Sequence, residues 1–285
     1  MNTLHPKTIL ITGGTSGIGL AVAKLCLDNH YNILIVGSNE LRASSAKTEL
    51  LKDYPDSRVK FFYADLSVQK NIHILANEIV EYLEEKCISK IDALINNAGG
   101  VRDFFQLTED NVEYQFALNH LSGVLLSYLL LPKLTNGMII FTGSYSHYKM
   151  KIHWKDLMYS KNYFIFTVYR QSKLANLMTA IAFNLILNPL NIQSYVVDPG
   201  LVNTKIASKH TTWLVRLVWS LKRKKGVNPL IPAQTYLYLI QNRPHDGVYF
   251  KDLHPTAYNP IADNINEVMR LFKISEDLCH IKFNV

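Results

Sequence analysis

Cysteine is scarce. The chain has three, Cys26, Cys87 and Cys279, odd in number, far apart and without CxxC or Cys/His spacing, which argues against a disulfide framework or a structural zinc site and fits a reducing compartment; no metal site is expected. There is no long hydrophobic run either. Leu121 to Leu134 is the most apolar helical stretch, but Ser122, Ser127, Pro132 and Lys133 interrupt it well short of the roughly 20 residues a spanning helix requires, so it reads as a buried helix. Met1 to Lys7 leave no room for a charged region followed by an apolar signal segment, and a cytoplasmic location is expected. No repeat of solenoid type is present. The net charge of +7 is partly local, in Lys222-Arg223-Lys224-Lys225. That run lacks the interleaved aromatics that stack on bases, so no nucleic-acid partner is expected.

What is present is enough for a large core. With 285 residues and 48% hydrophobic content, one domain over 1–285 with a C-terminal elaboration is expected. Short β-branched runs at Thr8 to Ile11, Asn32 to Val36, Arg58 to Tyr63, Ile91 to Ile95, Met138 to Thr142 and Ile192 to Val197 alternate with helical patterns. The alternation predicts an α/β fold, a doubly wound parallel sheet. Right-handed crossovers would then put the strand-end motifs on one edge. A long helical region is expected over 112–118 and 121–131, a structureless insertion over 148–162, and a helix from Ile261 to Phe272.

The first strand runs into Thr12-Gly13-Gly14-Thr15-Ser16-Gly17-Ile18-Gly19 and then a helix. Glycines permit positive φ and close backbone approach to an anion, and the helix N-terminus favours a pyrophosphate. After the second strand, at Gly37-Ser38-Asn39, no acid stands to bind an adenosine ribose, and Arg42 could face a ribose 2′-phosphate or be an ordinary exposed helix residue. The third strand ends at Asp65-Leu66, where the acid serves a ligand or caps the next helix. The fourth ends in Asn96-Asn97-Ala98-Gly99-Gly100, the fifth in Gly143-Ser144, and the sixth in Asp198-Pro199-Gly200-Leu201-Val202-Asn203-Thr204. Tyr169 and Lys173, four residues apart on one helix face, add acid–base chemistry, because a cation beside a phenol favours the phenolate.

Together these motifs resemble the short-chain dehydrogenase/reductase family over nearly the whole chain, and within it the retinol dehydrogenase-like branch, through Asn119-His120-Leu121, Ser144 followed by His147, Tyr169 to Asn176, and Gly247-Val248-Tyr249-Phe250. The resemblance implies a Rossmann fold and an oxidoreductase moving a hydride between NADP(H), favoured over NAD(H), and a carbonyl/alcohol substrate, lipophilic and retinoid-, steroid- or aldehyde-like. It implies a catalytic set of Asn119, Ser144, Tyr169 and Lys173. Tyr169 would be acid or base, Lys173 would lower its pKa and hold the nicotinamide ribose, Ser144 would stabilise charge on oxygen, and Asn119 would hold a water linking Lys173 to solvent. The cofactor would be held by Gly13, Thr15, Ser16, Gly17, Ile18, Gly19, Ser38, Asn39, Arg42, Asp65, Leu66, Asn97, Ala98, Gly99, Tyr169, Lys173, Pro199, Gly200, Val202 and Thr204. The branch usually carries an arginine near the position of Asn39, and Arg42 is the expected replacement.

Residues 205–228 stand where the family places a substrate lid, and Trp213, Leu214, Leu217, Val218 and Leu221 recur at helical spacing beside the basic run. That pattern leaves open a peripheral membrane contact through 213–225 or a homo-oligomer. The rival from another class is a dinucleotide-binding regulatory or scaffolding protein without turnover.

Overall fold

The computed structural model describes residues 6–54, 58–202 and 226–284. Thr204, nearly all of the expected lid and the 213–225 face lie outside them. Seven strands alternate with helices: β1 Thr8–Thr12, α1 Gly17–Asp28, β2 Asn32–Gly37, α2 Glu40–Asp53, β3 Val59–Tyr63, α3 Gln69–Glu85, β4 Ala93–Asn96, α4 Tyr114–Phe116, α5 Ser122–Leu129, α6 Leu131–Leu134, β5 Met138–Thr142, α7 Ile165–Ile186, β6 Gln193–Val197, α8 Leu230–Asn242 and β7 Tyr249–Lys251. A two-residue strand β8, His254–Pro255, and α9, Ile265–Cys279, complete the described chain.

The sheet order is β3-β2-β1-β4-β5-β6-β7-β8, parallel throughout except for the β7/β8 hairpin. The period of two sorts the strands onto two cores. Ile9, Ile11, Ile33 and Ile35 face α1 and α8, where Val22, Cys26, Tyr236 and Leu239 meet them. Leu10, Leu34, Leu94 and Ile139 face the opposite layer, built from α3, α5, α7 and α9. Because the strand order reverses direction between β1 and β4, the loops leaving their carboxyl ends diverge and open a crevice.

The expected long helix over 112–131 is broken into pieces. Glu113, fully buried, caps α4 by accepting from Gln115 N and Phe116 N, and a π-turn over Ala117–Leu121 follows at once. Leu130 then separates α5 from α6, which Pro132 opens, since proline tolerates only a first turn. The expected tail helix starts later and runs longer. Pro260–Asp263 form a 3-10 turn, Asn264 caps Asn266 N and Glu267 N, and α9 ends at His280 in the left-handed region. The 148–162 insertion has no helix or strand, yet it is fastened: Gln171 accepts from His153 N at 2.8 Å and donates to Leu157 O at 2.8 Å, and Trp154 Nε1 reaches Glu267 at 2.7 Å. Among the described residues no helix is long and apolar enough to cross a membrane.

Helix α5 lies directly on the sheet. A Cβ at Gly123 would stand 2.8 Å from Phe141 Cε1 and 3.1 Å from Asn96 Cγ. Gly123→Val is therefore expected to destabilise the fold by about 1–3 kcal/mol, read as a lower midpoint of urea unfolding. An unchanged midpoint would contradict this packing.

Candidate active site

The crevice is held at its base by Asn97. Its Nδ2 donates to Thr12 O at 3.0 Å and to Gly13 O at 3.2 Å, while Thr12 Oγ1 accepts from both Asn97 N and Ala98 N at 3.0 Å. Gly13 has φ +66° and Gly17 φ +57°, the left-handed region that favours glycine. A Cβ on Gly19 would meet Gly13 O at 2.5 Å, so Gly19 lets α1 press against the turn instead of lining the crevice.

The cavity measures about 650 Å³ and opens over the strand ends. Thr15, Ser16, Gly17 and Ile18 line it from the first turn, Ser38, Asn39 and Arg42 from the second, Asp65 and Leu66 from the third, and Asn97, Ala98 and Gly99 from the fourth. Backbone N–H groups of a positive-φ glycine turn at a helix N-terminus suit a pyrophosphate, and a volume of this size suits a cofactor. The donor set therefore fits a nicotinamide dinucleotide. Asp65 is not the cap of α3: its Oδ1 accepts from Ser67 N at 2.9 Å and Ser67 Oγ at 2.7 Å, and the α3 cap is Val68. Asn39 is the cap of α2, accepting from Arg42 N at 2.9 Å, which places Arg42 in the first turn beside the cavity.

Arg102 and Tyr114 also line the cavity, and neither was singled out from the sequence. The guanidinium of Arg102 lies 3.9 Å from the Tyr114 ring centroid, the side chain is 9% exposed, and its Nε has no hydrogen-bond partner. A cation shortly after Asn97-Ala98-Gly99-Gly100 was the available signal.

None of the four predicted catalytic residues, Tyr169 and Lys173 included, lines the cavity wall; Asn119 and Lys173 stand just behind it, next to Gly99 and Gly100. Asn119, on the π-turn, brackets Gly100: its Oδ1 accepts from Gly100 N at 2.7 Å and its Nδ2 donates to Gly100 O at 3.0 Å. Lys173 is buried and donates to Thr142 O at 2.8 Å, and a Cβ on Gly99 would stand 3.9 Å from its Nζ. Tyr169, one helical turn earlier, has its ring centroid 5.6 Å from that Nζ. Ser144 follows β5; its Oγ accepts from Ser146 N at 3.3 Å, and its hydroxyl favours ionisation of the Tyr169 phenol. His147 steadies Ser144: its Nδ1 donates to Ser144 O at 2.6 Å and its Nε2 accepts from Asn259 N at 3.2 Å.

The expected lowering of the Tyr169 pKa by Lys173 is not what this packing produces. Desolvation dominates and, with the buried Asp198 carboxylate adding to it, pushes Tyr169 up to about 12 against the opposing effect of the Ser144 hydroxyl. Burial alone takes Lys173 down to about 8. The main-chain carbonyl of Asn119 accepts from Asn176 Nδ2 at 2.9 Å. Pro199, Gly200 and Val202 lie at the β6 end, outside the cavity wall, where Gly200 has φ +66° and donates its N–H to Asp198 Oδ1 at 2.9 Å, and Val202 bridges to Val227.

Comparison with known proteins agrees with this layout. The short chain dehydrogenase family model matches residues 7–214. Retinol dehydrogenase 12 of Bos taurus is 31% identical over 286 residues, covering 98% of this chain and 88% of its own length. Polyprenol dehydrogenase of Homo sapiens is 31% identical over 224 residues, covering 75% of this chain and 66% of its own. An NADPH-bound carbonyl reductase from chicken fatty liver superposes with a TM-score of 0.67 at 21% identity, covering 89% of this chain and 99% of that one, a likeness of fold. The chain belongs to the short-chain dehydrogenase/reductase family, in its retinol dehydrogenase-like branch, and is an NAD(P)-dependent oxidoreductase acting by hydride transfer on a small molecule.

Proposed function

We propose that the protein interconverts a carbonyl and an alcohol on an apolar substrate, with NADP(H) preferred over NAD(H). Bound in the crevice, the dinucleotide supplies or takes up the hydride. The chain's own residues bind it, orient the substrate and handle one proton. The carrying observation is the grouping beside the cavity wall: the Tyr169 ring centroid stands 5.6 Å from the Lys173 ammonium, a Cβ on Gly99, which lines the cavity, would stand 3.9 Å from that ammonium, and the Ser144 hydroxyl favours ionisation of the phenol. With a pKa near 12, Tyr169 keeps its hydrogen at neutral pH and is ready to donate it to a carbonyl oxygen; in the reverse direction it accepts one. Ser144 stabilises charge growing on that oxygen. Lys173 has donors beyond the one given to Thr142 for the nicotinamide ribose and for returning a proton to Tyr169, and Asn119 holds the water that connects Lys173 outward.

Support for NADP(H) comes from charge. Arg42 and Arg102 both line the cavity, while Ser38 and Asn39 put no carboxylate where a ribose 2′-phosphate would be repelled. Support for an apolar substrate comes from the surroundings of Tyr169: Val101 and Ile165 pack with Phe166 and Tyr169, and the nearby Phe104 and Phe164 are more than half exposed. The relatives named for retinol and polyprenol agree with that class.

Tyr169→Phe is expected to lower kcat/KM for carbonyl reduction by about 10²–10⁴-fold, measured by NADPH oxidation against a panel of aldehydes and ketones; equal rates in variant and parent would remove Tyr169 from the chemistry. The parent rate of reduction should be flat through neutral pH and fall as pH rises through about 8, where Lys173 loses its proton. Arg42→Ala is expected to weaken NADPH binding about tenfold or more, the scale of one lost charge-assisted bond, with NADH binding little changed. Equal losses for the two cofactors would contradict the role given to Arg42.

A further inference from the structure

His120 has no solvent exposure and takes no part in the chemistry proposed above. Its ring stands between three elements. Nδ1 is 3.2 Å from Asn176 Oδ1 on α7, and Nε2 is 2.9 Å from Ser275 Oγ on α9, while His120 itself sits on the π-turn next to Asn119. Asn176 then donates from Nδ2 to the main-chain carbonyl of Asn119 at 2.9 Å.

The hydrogens follow by elimination. A main-chain carbonyl only accepts, so the amide group of Asn176 facing Asn119 is the NH₂ and the atom facing His120 is the oxygen. An amide oxygen only accepts as well, so Nδ1 of His120 carries a hydrogen. Two states remain at Nε2. An imidazolium would donate to Ser275 Oγ, whose own hydrogen would continue to Leu271 O at 2.9 Å; a neutral ring would accept from the serine hydroxyl. Full burial penalises the cation and takes the His120 pKa down to about 4, so the neutral ring holds at physiological pH and the Ser275 hydroxyl turns toward it.

Each bond fixes the next. Were the hydrogen on Nε2, Nδ1 would offer a lone pair, the Asn176 amide would turn over to meet it, and its oxygen would face the Asn119 carbonyl oxygen. The ring would keep a bond to the amide, but the Asn119 carbonyl and the Asn176 oxygen, both away from water, would face each other with no hydrogen between them.

We propose that Ser275, His120 and Asn176 form a positioning relay that transmits the docking of the C-terminal helix α9 to the main chain of Asn119, and through Asn119 to the Lys173 end of the crevice. The Asn119 carbonyl sets the amide, the amide sets the tautomer, and the Ser275 hydroxyl, donating to Nε2, ties that ring to α9. None of the three touches substrate in this scheme. Its catalytic consequence rests on the function proposed above; its hydrogen positions do not.

Full-length protein labelled with ¹⁵N-histidine tests the hydrogens, because long-range ¹H–¹⁵N correlation separates the two neutral tautomers from the cation. His120 is expected as the Nδ1–H form near neutral pH in the parent and, because the Asn176 oxygen still accepts, in Ser275→Ala as well, with the Nε2 resonance shifted by loss of its hydrogen bond. An Nε2–H ring or an imidazolium in the parent overturns the relay, as does an Nε2 resonance unchanged in Ser275→Ala. In turnover, His120→Leu is expected to lower kcat by about tenfold or more, the cost of a small misplacement, with the NADPH Kd unchanged. His120→Asn keeps an N–H donor at the Nδ1 position and is expected to recover most of the loss. A folded His120→Leu with parent kcat, or equal losses in both variants, overturns the relay. Should His120→Leu not fold, Ser275→Ala carries the comparison, with a fall in kcat at constant Kd expected and parent kcat overturning. A parent without turnover on any carbonyl sinks the functional reading instead and leaves the tautomer to decide the relay.

Discussion

Everything at the active edge depends on how Asn97 ties β4 to the turn after β1. One side chain and two backbone N–H groups at Asn97 and Ala98 satisfy the Thr12 hydroxyl and the carbonyls of Thr12 and Gly13, and Thr142 Oγ1 on β5 reaches Asn97 Oδ1 at 3.3 Å. Three strand ends are thereby locked in mutual register at the point where the sheet order reverses. The same Thr142 accepts Lys173 through its main-chain oxygen and meets Tyr236 OH at 2.7 Å through its hydroxyl. The glycine turn that suits a pyrophosphate and the lysine of the catalytic helix are thus referred to the same few atoms. Buried polar groups of this kind are costly unless every partner is present, so the arrangement is also a specification of geometry.

Burial, more than pairing, sets the electrostatics of the inner end. Tyr169 is pushed up and Lys173 down for one reason: neither the phenolate nor the ammonium is well solvated there. The neutral phenol is consequently the resting form, which is the form a reductase needs. The Ser144 hydroxyl works against that shift, and Asp198, buried with its Oδ2 unpartnered, works with it. His147 joins the same region to the C-terminal part of the chain through Asn259, whose Nδ2 donates to His147 O at 2.9 Å.

Much of this was legible in the sequence because it is local. Short β-branched runs before a glycine turn, an amide pair or a serine declare a strand end, and Tyr169 with Lys173 needs only helical spacing to share a face. What was not legible depends on partners far along the chain. Continuous apolar periodicity over 112–131 hid the π-turn, because the break is imposed by the Asn119 bracket on Gly100 and by the buried cap at Glu113. The tail helix was placed too early because Asn264, its cap, sits inside an apolar-looking stretch. The Ser275 to His120 contact joins residues 155 positions apart, which no spacing rule can see. Arg102 was passed over because an arginine on a loop is ordinarily solvated, whereas here an aromatic ring covers it.

On the function proposed above, a dinucleotide held at the β1 turn would present its nicotinamide to the same carbonyl that Tyr169 would protonate. Isotope tracing tests it most directly. With NADPH deuterated at the transferred C4 position and an aldehyde the protein reduces, mass spectrometry of the alcohol should find one deuterium on the carbinol carbon in single-turnover reaction. Product carrying solvent hydrogen at that carbon would contradict direct transfer within the crevice.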